Sequence, residues 1–162
     1  MSSSVRPDEG LDHPFAGDLN WLLHRVGAVL GSAQDEVARR HGLGIRGYVV
    51  LRTIAQSEGS SQLALGRDLG LDKTTLTAVL DRLEEAGLIL RRPAPGDRRA
   101  RVCEATAEGR EVAGKAAEEI EATEQRLLAE MRPRDRDELV RLLRQLAFGP
   151  FADTAPISGS CI

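Results

Sequence analysis

The chain has 162 residues, a net charge of −3, 29% charged residues and 3% aromatics. That length suffices for one domain with a real core. No apolar run approaches the roughly 18 residues of a membrane span, and MSSSVRPDEG lacks an apolar stretch after its single Arg, so neither a membrane helix nor a secretory signal is expected.

Residues 1–14 and 149–162 are rich in Ser, Pro, Gly and Asp without periodicity, and both read as flexible tails around a unit spanning 15–148. Within it, Leu19, Leu22, Leu23, Val26, Leu30, Ala33 and Val37 recur at three- and four-residue steps. They predict a long amphipathic helix over Asp18–His41, closed by Arg39, Arg40 and a left-handed Gly42. A second helix is expected over Ile45–Gln56. A third runs from the N-cap Ser61 to Gly70, carrying Leu63, Leu65 and Leu69.

The fourth helix opens on Asp72, whose carboxylate can accept from the free N–H groups of the first turn. Leu76, Val79, Leu80 and Leu83 form its buried stripe. Thr74, Ala78 and Asp81 then point outward, flanked by Thr75, Thr77 and Arg82. After Gly87, two short strands, Leu88–Arg92 and Arg101–Ala105, enclose PAPGDRRA. That loop looks too long for a two-residue turn and is expected to project as a flap. The fifth helix starts at Thr106 with a seam of Val112, Ala116, Ile120, Thr123, Leu127 and Met131. The sixth runs from Pro133 to about Phe148 with Leu139, Leu142, Leu143 and Leu146 apolar.

Helices three and four, joined at Gly70–Leu71, make a helix-turn-helix, whose second helix is built to enter a major groove. Lys73, Thr74, Thr75, Thr77 and Ala78 offer hydroxyls and methyls suited to base edges and phosphates, and Ser61 is placed with them at the third helix start. The helix N-terminus itself welcomes a phosphate. The net charge is acidic, yet Arg91, Arg92, Arg98, Arg99 and Arg101 face one acid, Asp97, between residues 91 and 101. Charge distribution, not its sum, marks a DNA surface. Arg98 and Arg99 at the flap suit a minor groove, with Asp97 orienting an arginine. A solvated Thr-rich face and a solvated basic loop are the plain alternatives.

The series DRLEEAGLI (81–89), RR (91–92), GDRR (96–99) and TAEGR (106–110) resembles the MarR family of winged helix-turn-helix regulators, over roughly residues 15–148. The resemblance implies a mainly α fold with a small β-hairpin wing. The winged helix would occupy about 45–105, with long N- and C-terminal dimerisation helices at about 18–41 and 106–148. It implies a homodimer with recognition helices in successive major grooves, wings in flanking minor grooves, and an aromatic or phenolic ligand that weakens DNA binding. By position, Thr74, Thr75 and Thr77 would face DNA, Arg82 would touch the backbone, and Arg99 would be the wing arginine, steered by Asp97 or Asp72. Three residues depart from the pattern: Ala78, where relatives often carry a basic or polar residue; Ala105, in place of Leu; and Arg132, in place of a capping Ser.

The expected function is therefore a cytoplasmic, homodimeric DNA-binding regulator, a repressor released by a small ligand, with no cofactor, no metal and no enzyme activity. The dimer reading has a physical motive: the long first helix and the terminal helices carry more apolar surface than the central unit can cover. Partners are double-stranded DNA with an inverted-repeat operator, a second copy of the chain, and a small anionic or phenolic effector; no membrane is expected. The effector is placed between helices one, two and five, near Trp21, His24, Arg25, Arg46 and Tyr48, because two of the few aromatics fall there beside cations; packing of Trp21 and Tyr48 in the core is the alternative. Two other functions stay open: a dimeric winged-helix adaptor for protein, and a thiol-based redox regulator; Cys103 and Cys161, far apart and without metal spacing, read as two reduced thiols. The resemblance implies that a thiol sensor would carry its reactive Cys near the start of helix one, and that segment, DHPFAGDLNWLLHR, has none, which weighs against the thiol reading.

Overall fold

The computed structural model describes residues 13–57, 59–94 and 97–151, with backbone alone over 94 and 97–100. Its elements run α1 (Leu19–Arg40), α2 (Ile45–Ala55), β1 (Ser60–Ser61), α3 (Gln62–Leu69), α4 (Lys73–Glu85), β2 (Ile89–Ala94), β3 (Asp97–Ala105), α5 (Ala107–Leu127) and α6 (Pro133–Ala147).

Short polar side chains start most helices, as their sequence positions require. Asp18 accepts from Trp21 N (2.7 Å), Ser61 from Ala64 N (3.1 Å), Asp72 from Thr75 N (2.9 Å) and Thr106 from Gly109 N (2.9 Å). Helix α2 begins at Gly44, which has no side chain to offer. Asp35 of α1 supplies the acceptor from outside, taking the Ile45 N–H at 2.8 Å while its other oxygen holds Arg39 at 2.7 Å. At α6, Arg132 makes no capping bond; its guanidinium turns to Asp135 instead (2.6 Å), and Pro133, lacking an N–H, takes the first helical position.

The core centres on α2, which packs against α1, α4, α5 and β3. Val50, Leu51 and Ile54 are fully buried there, against Leu65 of α3, Leu80 of α4 and Ile89 of β2. Truncating any of these leucines or isoleucines to Ala would cost about 2–5 kcal/mol through lost burial and the cavity left behind. Helix α5 buries Gly109, Ala113, Ala116, Ile120 and Thr123, a stripe repeating every three to four residues. The expected seam holds at Ala116, Ile120 and Thr123 but not at its ends: Val112 is only half-buried, Leu127 is exposed, and Met131 lies beyond the helix end. The small Ala residues face inward because α5 approaches α1 and α2 closely. Polar ties hold α1 to α5: Gln34 Nε2 donates to Glu124 Oε1 (2.5 Å), and Arg40 reaches Glu119 (3.1 Å).

The sheet is antiparallel with order β1-β3-β2. Strand β1 was not foreseen; its two serines pair with Cys103 and Val102 of β3. The hairpin also differs from expectation. Pairing continues to Ala94↔Asp97, with a register shift between Pro93 and Ala94, so two residues rather than a long flap join the strands. The extra residues of β3 are taken up as a bulge-like irregularity near the tip, where a proline in β2 cannot donate to the ladder.

No residue of α6 is buried, and Val140, Leu142, Leu143 and Leu146 are exposed. So are Leu19, Leu22, Leu23, Val26 and Val29 of α1. Among the described residues no helix is long and apolar enough to cross a membrane.

Candidate nucleic-acid interface

Helices α3 and α4 are set by a turn that only a few residues accept. Gly70 closes α3 at φ 61°, a left-handed conformation that costs glycine little. Leu71 N then donates back to Gly66 O (3.0 Å), and Asp72 starts α4 at once. Leu76, Leu80 and Leu83 seat α4 in the core, which leaves its other face to solvent.

That face carries the expected residues, each in a definite state. Lys73, Thr74, Thr77, Ala78, Asp81 and Arg82 are exposed. Lys73 and Arg82 make no ion pair among the described residues. Thr75 is half-buried, and its hydroxyl donates to Asp72 Oδ2 (2.6 Å). Thr77 Oγ1 donates to Lys73 O (2.7 Å), which leaves its oxygen facing outward as an acceptor. An acceptor at that point matches the amino groups of adenine or cytosine in a major groove. Ala78 presents only a methyl, so contact there is apolar. Ser61 is half-buried and commits its oxygen to the α3 cap.

The α4 N-terminus is less open to phosphate than the sequence implies. The Asp72 carboxylate already holds the Thr75 N–H, and hydrogen bonds from the Thr75 hydroxyl and then its backbone N–H lower its pKa below the usual carboxylate range. A fixed anion there opposes a second one.

The basic cluster between 91 and 101 is also partly spent inside the protein. Arg91 on β2 reaches back to α4: its Nη2 lies 2.7 Å from Asp81 Oδ1, its Nε 2.8 Å from Glu84 Oε2, and a further short contact joins Nη2 to Glu84. The Arg91 hydrogen bond pulls the Glu84 pKa down, and Glu84 in turn raises that of Arg91. Arg92 approaches Glu104 at 3.7 Å. Arg101 is exposed. The backbone of Asp97, Arg98 and Arg99 lies in β3, but their side chains fall outside the described residues. Sequence reading missed the Asp81–Glu84–Arg91 group, although acids three apart on one helix, followed by Arg two residues into a strand, are a signal for it.

The five residues expected to bind an effector are not gathered at one place in the chain. Trp21, His24 and Arg25 line a shallow groove along α1 with Val29, Ser32 and Glu36. Trp21 stacks on His13, with ring centroids 4.4 Å apart, and lies beside Phe15. Arg46 instead lines a cleft where the α1–α2 junction faces α4, together with Arg39, Thr74, Ala78 and Arg82. Tyr48 is buried in the core, and its hydroxyl accepts from Arg52 Nη1 (2.5 Å). Cys103 is fully buried on β3, and burial raises its pKa, which keeps the thiol protonated and slow to oxidise. Cys161 lies outside the described residues.

A helix-turn-helix with an exposed polar helix face, backed by an antiparallel hairpin, defines a winged helix-turn-helix protein. The MarR family model matches residues 45–100, from α2 into β3. The HTH-type transcriptional repressor Rv2887 of Mycobacterium tuberculosis is 33% identical over 128 residues, covering 79% of this chain and 92% of that protein. The chain belongs to the MarR family and is a transcriptional regulator. A MarR-family regulator from Rhodococcus sp. RHA1 superposes with a TM-score of 0.78 at 29% identity, over 85% of this chain and 99% of that one. CouR from Rhodococcus jostii RHA1, solved with p-coumaroyl-CoA, gives 0.75 at 28% identity over 86% and 99%. Rv2887 in complex with DNA gives 0.67 at 32% identity over 83% and 98%.

Proposed function

We infer that the chain is a homodimeric repressor that holds an inverted-repeat operator and releases it when a small anionic or phenolic ligand binds. It acts in the cytoplasm, by binding rather than by catalysis. The carrying observation is the α4 face: Thr74, Thr77, Ala78 and Arg82 stand exposed together on a helix seated by leucines, beside a hairpin rich in arginine. Arg98 and Arg99 serve as wing contacts, with Asp97 orienting one of them. That Rv2887 has been solved in complex with DNA supports the DNA-binding part of this reading. Helices α1, α5 and α6 are the dimerisation elements, supported by the apolar faces of α1 and α6 that one protomer leaves exposed.

Selection of bound duplexes from a random pool tests the reading. The expected product is an inverted repeat whose half-site centres lie about one helical turn, roughly 10 bp, apart. Its affinity should fall steeply with salt, by a log–log slope of about −0.9 per phosphate contact. Recovery of direct repeats or single half-sites would remove the dimer geometry. No recovered site, with salt-insensitive capture of a protein, would favour an adaptor.

The effector reading draws support from CouR, solved with an aromatic acyl-CoA, and from the α1 groove, where Trp21 meets His24 and Arg25. The cleft holding Arg39, Arg46 and Arg82 against Thr74 joins α1–α2 to the DNA-facing helix, so an anion there would act directly on that helix. Titration with salicylate should change Trp21 fluorescence and lower operator affinity roughly 5- to 150-fold, the usual range of allosteric coupling. Unchanged operator affinity at saturating ligand would end this part of the reading and leave DNA binding intact.

A further inference from the structure

The wing of a winged helix is a thin hairpin, and something must fix its angle to the helix in the major groove. In this protein Leu88 and Ile89 seat the start of the wing in the core, and the side-chain polar ties from α4 to β2 converge on one residue, Arg91. Glu84 holds Arg91 at two places, accepting from the guanidinium and, at 3.2 Å, from its backbone N–H. Asp81 takes the outer nitrogen. Asp81 stands one turn beyond Thr77 and Ala78, on the same exposed side of α4. Arg91 therefore ties the DNA-facing surface of the helix directly to the strand that leads out to the wing tip. Its register partner on β3, Cys103, is fully buried in the core, so both strands of the hairpin are held at this level.

We propose that Arg91 is a positioning residue for DNA: by bridging Asp81 and Glu84 it makes α4 and the β2–β3 hairpin meet the duplex as one rigid body. This rests on the DNA-binding reading above. The lever is long enough to matter. From Arg91 to Ala94 the strand runs about 10 Å, so a swing of about 10° at the root moves the tip by nearly 2 Å, more than a hydrogen bond tolerates. The bridge has a second effect. Asp81 would repel phosphate from beside the reading residues, and Arg91 supplies the compensating charge. The guanidinium is one-fifth exposed and Asp81 more than half exposed. Both carboxylates stay more than one-third exposed and screened by solvent, which limits what the group adds to folding, so the larger expected penalty falls on DNA binding.

The test uses the full chain and the operator recovered by selection, with affinity measured by titration and contacts by hydroxyl-radical footprinting. Arg91→Gln should melt within a few degrees of the wild-type protein, yet bind about tenfold more weakly. Its footprint should keep the half-site protections and lose those over the flanking minor grooves. Arg91→Lys should fall between the two, since a lysine carries the charge without the fork that spans two carboxylates. A wild-type affinity and footprint for Arg91→Gln overturns the proposal, and so does a uniform loss of every protection. Should Arg91→Gln not fold, Arg91→Lys decides alone: flanking protection equal to wild type overturns it. If the wild-type chain protects no duplex, the DNA-binding reading falls and takes this proposal with it; if it does, the variants judge Arg91 alone.

Discussion

Gly109→Ala should destabilise the protein by about 3 kcal/mol and lower its melting temperature by about 10 °C. A Cβ at Gly109 would lie 2.0 Å from the carbonyl oxygen of Leu88 and 2.9 Å from its carbon, both backbone atoms that cannot rotate away. That carbonyl is the joint between the recognition helix, the wing and α5. It accepts from Thr106 N (3.0 Å), and the Thr106 hydroxyl donates to Gly87 O at 2.9 Å while accepting from Gly109 N at 2.9 Å. An added methyl therefore pushes the start of α5 off the turn that seats it and strains its cap together with the adjoining Ala113 and Ala116 packing. Gly47→Ala is the matched control. Its Cβ would meet only Leu43 side-chain atoms at 3.8 Å, and in the first turn of α2 the change should stabilise by up to about 1 kcal/mol. Thermal unfolding of the two variants side by side checks both signs; wild-type melting of Gly109→Ala would mean that α5 does not rest on Leu88.

What the sequence made legible was mostly local. Asp18, Ser61, Asp72 and Thr106 mark helix starts because a cap bond spans three residues and needs nothing distant. The α4 face was legible for the same reason: four leucine-type positions at helical spacing leave Thr74, Thr77 and Ala78 nowhere to go but outward. The rest depended on the third dimension. Ser60–Ser61 form a strand only because Cys103 and Val102 lie beside them, some forty residues away, and two serines carry no periodicity. On α5 the pattern is rich in Ala, so Val112 competed with Ala113 for the inside; close approach of α2 decided for the smaller side chain. The arginines near the wing counted as free charge until Asp81, Glu84 and Glu104 came within reach. Trp21 and Tyr48 fall on neighbouring helices, yet one is partly open on α1 and the other is locked in the core by burial and by Arg52. Adjacency of helices does not say which faces meet.

Leu143→Glu in α6 should turn the protein into a monomer and lower operator affinity by about 100-fold or more, the scale lost when two linked half-site contacts become independent. In one protomer Leu143 is exposed, and Leu139 and Leu146 share its face at four- and three-residue steps. A charge there removes no packing from the core, so far-ultraviolet circular dichroism of the variant should keep its helical signal. In a two-fold dimer the same side chain would be enclosed between apolar helices, where an unpaired carboxylate costs several kcal/mol. Leu19, Leu22, Leu23 and Val26 on α1 are exposed as well, and isologous contact would bring every such patch into play twice. Sedimentation velocity gives the mass of each form, and operator titration gives the affinity. The wild-type chain should sediment as a dimer, and the variant should sediment as a monomer that still binds an isolated half-site weakly. A wild-type monomer that binds the full inverted repeat tightly would separate DNA recognition from these apolar faces. A Leu143→Glu dimer with unchanged affinity would move the interface elsewhere, since no enclosed apolar contact tolerates that charge without loss.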